Sequence, residues 1–263
     1  MDEIKKLSES EFKDLAVLLK FNPIFLAKDY YLTLVLYLIR NINRIYFKGG
    51  TALQKIFLNY SRLSEDIDFT VTKDISIVKQ EIISALQESG FFERITEDKT
   101  VEDFTRLVVH YTGFNGEKEK VFIDLNKRAK LFLLPEKHEI KHFYNEFIPS
   151  FSLNTLAKKE LIAEKVSAAI TRNKPRDHFD VYEIIQAKQE IDFEIVRKKC
   201  RQSKKEFDIT RMFNNANKLK NRWDKDLIPL IAKEVSFHQV ITSFAKHFNL
   251  KQEKKKKRQI KGN

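Results

Sequence analysis

Residues 47–71 read FKGGTALQKIFLNYSRLSEDIDFTV, and the order of residue types in this stretch decides the expected fold. Ile45-Tyr46-Phe47-Lys48 is β-branched and aromatic, as a strand prefers, and it runs straight into Gly49-Gly50-Thr51 and then an apolar helical segment through Tyr60. Paired glycines at a strand-to-helix junction let backbone N–H groups approach phosphate oxygens with no Cβ in the way, and the helix N-terminus adds partial positive charge. Asp66-Ile67-Asp68-Phe69-Thr70-Val71 then alternates polar and apolar residues, so Asp66 and Asp68 share one face of a half-buried strand. Two hard oxygen ligands on one side suit an octahedral Mg²⁺ held jointly by protein carboxylates and substrate phosphates. Alone, the glycines describe a turn and the aspartates a solvated strand face. In combination they place a phosphate cradle beside metal ligands.

On the N-terminal side of this stretch the sequence reads as helix. Ser8 and Glu11 are spaced as a capping box ahead of Phe12, Leu15, Ala16, Leu18 and Leu19, and Asn22-Pro23 breaks the pattern. A second helix, approximately Phe25 to Asn41, is apolar almost all round and should be sandwiched between other elements. On the C-terminal side a helix from about Ile75 to Glu88 stops at Gly90. Phe104 to Tyr111 and Lys120 to Leu125, joined by Gly113-Phe114-Asn115-Gly116, read as a hairpin, with Phe122, Asp124 and Asn126 on one face of its second strand. Asp124 is thereby a candidate third carboxylate.

Beyond Pro149 the pattern is helical: Asn154 is positioned to cap a helix from Thr155 to Arg172, and Arg176 to Gln186 resumes after Pro175. Further helices are expected near residues 193–201, 205–219, 227–235 and 240–248. Charge divides at the same place. Residues 1–150 carry 22 Lys and Arg against 23 Asp and Glu, whereas residues 151–263 carry 27 against 14. The expected architecture is α+β: a mixed-sheet α/β domain over 1–150, a basic helical bundle over 151–250, and a disordered basic tail over 251–263. With 42% apolar residues the chain can build a sizeable core, and its 6 Gly and 5 Pro argue against a Gly/Pro-rich all-β fold. Cys200 is the one cysteine, which excludes a disulfide framework or a cysteine-based zinc site. The polar N-terminus lacks a signal peptide, and the longest apolar run, Tyr30 to Ile39, is too short for a bilayer, so a cytoplasmic protein without membrane contact is expected.

With its glycine turn and acidic pair, residues 47–71 resemble the first motif of AbiEii/AbiGii-type nucleotidyltransferases, abortive-infection proteins and toxins of toxin–antitoxin pairs within the polymerase-β-like superfamily. Gly49, Gly50, Thr51, Arg62, Ser64, Asp66 and Asp68 match in type and spacing. Residues 164–184, EKVSAAITRNKPRDHFDVYEI, resemble the family's downstream motif, with Lys165, Arg172, Arg176, Asp177 and Asp180 in its positions. The resemblance implies a polymerase-β-like nucleotidyltransferase domain followed by a helical bundle, and an enzyme that moves an NMP from an NTP to an acceptor hydroxyl. It also implies nucleotide binding by Gly49, Gly50, Thr51, Arg62, Ser64 and Lys165. Mg²⁺, or Mn²⁺ in its place, would sit on Asp66 and Asp68, and Asp177 or Asp180 would join Lys165 in catalysis; the family does not always keep a third carboxylate, so Asp124, a candidate metal ligand by its strand position, has the alternative of a plain strand residue. A cognate antitoxin is implied as partner. The basic C-terminal part, through Lys158, Lys159, Arg172, Lys174, Lys198, Lys199, Arg201, Lys204, Lys205 and the tail, favours RNA, in particular a tRNA 3′ end, as the acceptor. Two rival readings share the first motif: a catalytically silent module that captures RNA or a protein, and an antibiotic-type small-molecule nucleotidyltransferase.

Overall fold

The computed structural model describes residues 4–172, 174–214 and 216–261. The chain divides into two compact units, Met1–Ala157 and Lys158–Asn263. The first begins with α1 (Glu9–Leu19), where Ser8 Oγ accepts from Glu11 N–H at 3.3 Å and Glu11 Oε2 accepts from Ser8 N–H at 2.8 Å. This capping box contributes about 1 kcal/mol. Asn22 caps α2 (Pro23–Leu38) by accepting from Ile24 N–H at 3.0 Å, with Pro23 in the first turn. Leu32, Leu34, Val35 and Leu36 of α2 are fully buried, as its all-round apolar pattern requires.

Then follow β1 (Ile45–Lys48), α3 (Gly49–Ile56), β2 (Asp66–Val71), α4 (Ile75–Glu88), β3 (Arg94–Val101), β4 (Phe104–Thr112), β5 (Lys118–Asn126), β6 (Glu136–Glu139) and β7 (Ser152–Thr155). Among the described residues they form a mixed seven-stranded sheet in the order β3-β4-β5-β2-β1-β7-β6. β1 runs antiparallel to β2, β2 parallel to β5, and β4 and β5 form the expected hairpin. Ile67, Phe69, Leu107, Val109, Val121, Ile123 and Leu125 are buried on one face, and α2 packs against β5 and α4. Asp66, Asp68, Arg106, Phe122 and Asp124, in the alternate positions, are half-buried.

The boundary of the first unit lies beyond residue 150, because β7 is the strand between β1 and β6. Asn154 is accordingly no helix cap: it faces Lys137 across the β6–β7 ladder, and the helix starts at Lys158. Leu153 and Thr155 alternate inward, a period-2 signal that three residues are too few to announce. β3 also escaped the sequence, since it lies at the sheet edge with mostly exposed polar residues.

The second unit holds α5 (Lys158–Thr171), α6 (Pro175–Gln186), α7 (Phe193–Gln202), α8 (Ala216–Leu227), α9 (Phe237–His247) and α10 (Leu250–Lys261). The helix expected over 205–219 is replaced by a 3₁₀ turn, Ile209–Phe213, which Asp208 caps, followed by α8. Pro229 lacks an N–H and leaves only a 3₁₀ turn, Ile228–Leu230, where a helix was expected over 227–235. Residues 250–261 form α10 and not a disordered tail: Lys, Glu, Gln and Arg are good helix formers, and Lys257 bonds Asp208 and, at 3.0 Å, Thr210 Oγ1. Residues 262 and 263 of that tail lie outside the described residues. Among the described residues no helix is long and apolar enough to cross a membrane.

Beneath α3 the first unit buries an ion pair. Lys55 Nζ lies 2.9 Å from Asp29 Oδ1, with both side chains 1% exposed, and it donates to Thr33 Oγ1 at 2.8 Å and Tyr60 Oη at 2.6 Å. Tyr60 donates to Lys141 O at 2.9 Å, and Tyr144 Oη lies 3.2 Å from Asp29 Oδ2. Removing one partner of such a pair strands a buried charge. Asp29→Leu alone is expected to cost roughly 3–5 kcal/mol, and the Asp29→Leu/Lys55→Met pair distinctly less than either single change, as urea unfolding would measure. Beside this network, His142 is buried, and desolvation followed by the Lys55 charge brings its pKa down from 6.5 to about 4. Between those values the unfolded chain binds a proton that the folded chain refuses, so this stability is full above pH 6.5 and is lost as pH falls toward 4. The loss should reach about 3 kcal/mol, and His142→Leu should flatten the urea midpoint over that pH range relative to the parent.

Candidate active site

Gly49 carries φ +79°, and a Cβ there would lie 2.2 Å from Asp68 Oδ2 and 2.9 Å from its Cγ. The β1–β2 register pairs Lys48 with Asp68, so the chain turns into α3 directly over this carboxylate. Only glycine combines the left-handed turn with so close an approach. Thr51 is buried and donates from Oγ1 to Asp66 O at 2.5 Å, tying the first turn of α3 to the start of β2. Its hydroxyl proton is therefore spent on the scaffold. Arg62 is also buried: Nη1 donates to Leu63 O at 2.8 Å and stands 3.5 Å from Ser64 Oγ, while Gln54 Oε1 accepts from Arg62 N–H at 3.2 Å and Ser61 Oγ at 2.9 Å. These bonds shape the connection from α3 to β2. The glycine turn is thereby joined to Asp66 and Asp68 where the interior strands β1 and β2 meet α3.

Asp124 stands opposite Asp68 in the parallel β2–β5 register, as a third ligand would require. Its oxygens, however, are held by Arg106 of β4: Nε to Oδ1 at 2.6 Å and Nη2 to Oδ2 at 2.7 Å. Asp124, followed by Asp66, keeps the Arg106 guanidinium firmly protonated. Among the described residues no three His, Cys, Asp or Glu side chains gather to hold a metal, and Asp124 here anchors Arg106. Asp66 and Asp68 remain a pair of half-exposed hard oxygen donors beside a turn that offers N–H groups, which fits a divalent cation shared with phosphates. Arg106 was missed from the sequence. Its signal was available, because counting outward from the Gly113–Glu117 turn places it opposite Asp124.

The second motif assembles within the second unit. Lys165 of α5 is buried, with Nζ 3.0 Å from Asp177 Oδ1 and 2.9 Å from Asp180 Oδ2, both aspartates rising from the start of α6. Arg172, half exposed, adds Nη2 at 3.0 Å from Asp177 Oδ1. Asp177 in the first helical turn also faces the positive end of the helix dipole. His178 is a packing residue: it is fully buried, its ring nitrogens lie 2.8 Å from Met212 O and 3.1 Å from Lys174 O, and burial pushes its pKa down.

Comparison with known proteins supplies the family. Residues 39–248 match the family model described as "Nucleotidyl transferase AbiEii toxin, Type IV TA system". In fold the chain is similar to MenT4, a nucleotidyltransferase toxin of Mycobacterium tuberculosis H37Rv, with a TM-score of 0.66 at 20% identity over 91% of this chain and 89% of that one. JHP933 from Helicobacter pylori is similar at a TM-score of 0.55 and 16% identity, over 92% and 98% of the two chains. A putative nucleotidyltransferase from H. pylori gives 0.56 and 17%, over 87% and 95%. No curated protein matches. Since the family model spans most of the chain, from before the glycine turn to beyond the Lys165 cluster, the chain belongs to the AbiEii nucleotidyltransferase toxins of type IV toxin–antitoxin systems.

Proposed function

We propose that the chain transfers a nucleoside monophosphate from an NTP to a hydroxyl on RNA, with a tRNA 3′ end as the favoured acceptor and a cognate antitoxin as its protein partner. The observation that supports the reading is the close approach of Gly49 to Asp68, since the N–H groups of the turn would then reach the same triphosphate as a metal held by that carboxylate. Asp66 and Asp68 would hold Mg²⁺, or Mn²⁺ in its place, whose charge would stabilise the negative oxygens of the transferring phosphoryl group. The N–H groups of Gly49 and Gly50 and the hydroxyl of Ser64 would receive the outer phosphates, and Thr51 and Arg62 would keep the turn in shape. Arg106 would present fixed positive charge beside the acidic pair. Lys165 would take its role from the family motif, with Asp177 and Asp180 setting its position. Such a site works by alignment and electrostatics, which phosphoryl transfer chiefly needs.

Incubated with radiolabelled NTPs, Mg²⁺ and total RNA, the protein should label RNA, and Asp66→Ala should lower transfer by at least 10²-fold, as the loss of a metal ligand does. Gly49→Ala should do the same without unfolding the protein, because the new Cβ must displace the Asp68 carboxylate. RNA left unlabelled by the parent protein, or labelled equally by Asp66→Ala, would sink the assignment. A second measurement separates Asp124 from the metal ligands. Asp66→Asn should abolish the rise in melting temperature that Mg²⁺ with NTP produces, whereas Asp124→Asn should leave most of it.

A further inference from the structure

In the second unit, the end of α7 and the segment after it enclose an open cleft of about 600 Å³ lined by Arg197, Arg201, Lys204, Lys205, Glu206 and Phe207. Four cations face one carboxylate there. Arg197 is already engaged, at 2.6 Å from Glu194 and with its guanidinium 4.7 Å from the centre of the Phe207 ring. Arg201, Lys204 and Lys205 are exposed, and among the described residues no carboxylate pairs with them. Several other cations of the second unit are engaged by carboxylates. Lys199 is buried between Glu160 at 2.6 Å and Glu164 at 2.8 Å, Lys159 meets Glu190 at 3.0 Å, Arg172 meets Asp177, and Lys257 meets Asp208.

The backbone of the cleft ends α7 in the way that Lys188 ends α6. Lys205 N–H donates to Cys200 O at 3.0 Å and Lys204 N–H to Arg201 O at 2.9 Å, a Schellman ending of α7. The residue at its left-handed position is Lys204, with φ +54°, where glycine is preferred. A lysine there costs stability and adds one more cation to the cleft. Cations at a helix C-terminus complement its dipole, but Arg201 alone would serve that purpose and no cleft would be needed.

We infer that this cleft binds successive phosphates of a single-stranded RNA backbone, holding the acceptor away from its reacting end. The inference rests on the RNA-acceptor reading above. Its volume falls within the ~300–1,000 Å³ of ordinary ligand sites. Its lining supplies a guanidinium for bidentate contact and two mobile ammonium groups for tracking, with no constellation of acceptors that would read a base.

The test uses the full chain and a fluorescein-labelled, mixed-sequence 20-nucleotide single-stranded RNA, with anisotropy followed over about 50 to 250 mM KCl. Three lost phosphate contacts should flatten the log–log salt slope by about 2, and Arg201→Gln/Lys204→Gly/Lys205→Gln should weaken binding at low salt by at least about tenfold. Lys204→Gly alone should weaken RNA binding while its melting temperature stays equal to the parent's or rises, so a folding defect cannot imitate the result. The rise in melting temperature with Mg²⁺ and NTP should be the same in all variants. Loss of RNA binding in the triple variant, with no NMP transfer even by the parent, would uphold the cleft and fail the acceptor reading. Undiminished RNA binding and transfer by the triple variant would uphold the acceptor reading and overturn the cleft. Unchanged RNA affinity with lost binding to poly-glutamate would overturn it in favour of an acidic protein partner.

Discussion

The carboxylate of Asp68 occupies the space that a side chain at position 49 would need, and much of the first unit follows from that contact. A strand carrying two carboxylates can lie next to a turn of N–H donors only if the turn has no Cβ and adopts a left-handed angle. The β1–β2 ladder supplies the register, the Thr51 hydroxyl bonds the backbone of Asp66, and Arg62 and Gln54 shape the return from α3. Of these residues Thr51, Arg62 and Asp66 belong to the motif matched in the sequence. The geometry ties Thr51 and Arg62 into the scaffold of the turn and leaves the Asp66 and Asp68 side chains half-exposed.

Holding still has a cost, visible beneath α3. A lysine and an aspartate lie almost fully buried, surrounded by Thr33, Tyr60 and Tyr144. A well-packed apolar replacement would serve stability as well or better. What the ion pair adds is direction, since Lys55 can satisfy its donors only when α2, α3 and the segment around Lys141 are in register. The helix that opens with the glycine turn is thereby prevented from sliding.

The same logic sorts the cations of the second unit. Net charge describes a basic surface, but an ammonium between two glutamates offers nothing to a polyanion, and Lys199 is one of these. Lys165 is buried between Asp177 and Asp180, a small cluster in which one cation meets two carboxylates. At the end of α7, by contrast, Arg201, Lys204 and Lys205 line an open cleft.

Features that depend on neighbours in sequence were legible without a structure. The Ser8 capping box, the Asn22-Pro23 helix start, the Gly113–Gly116 hairpin and the alternation of Asp66-Ile67-Asp68 are each decided within a few residues, by bonds that close over one turn or one strand pair. The combination of glycine turn and acidic strand was legible for the same reason, and the family resemblance was carried by those positions. The tertiary structure alone decided that β7 lies between β1 and β6 and that Thr51 and Arg62 are buried. Those outcomes depend on which strands become neighbours and which charges lose access to water. Contacts between residues far apart in the chain settle both, and no local pattern encodes them.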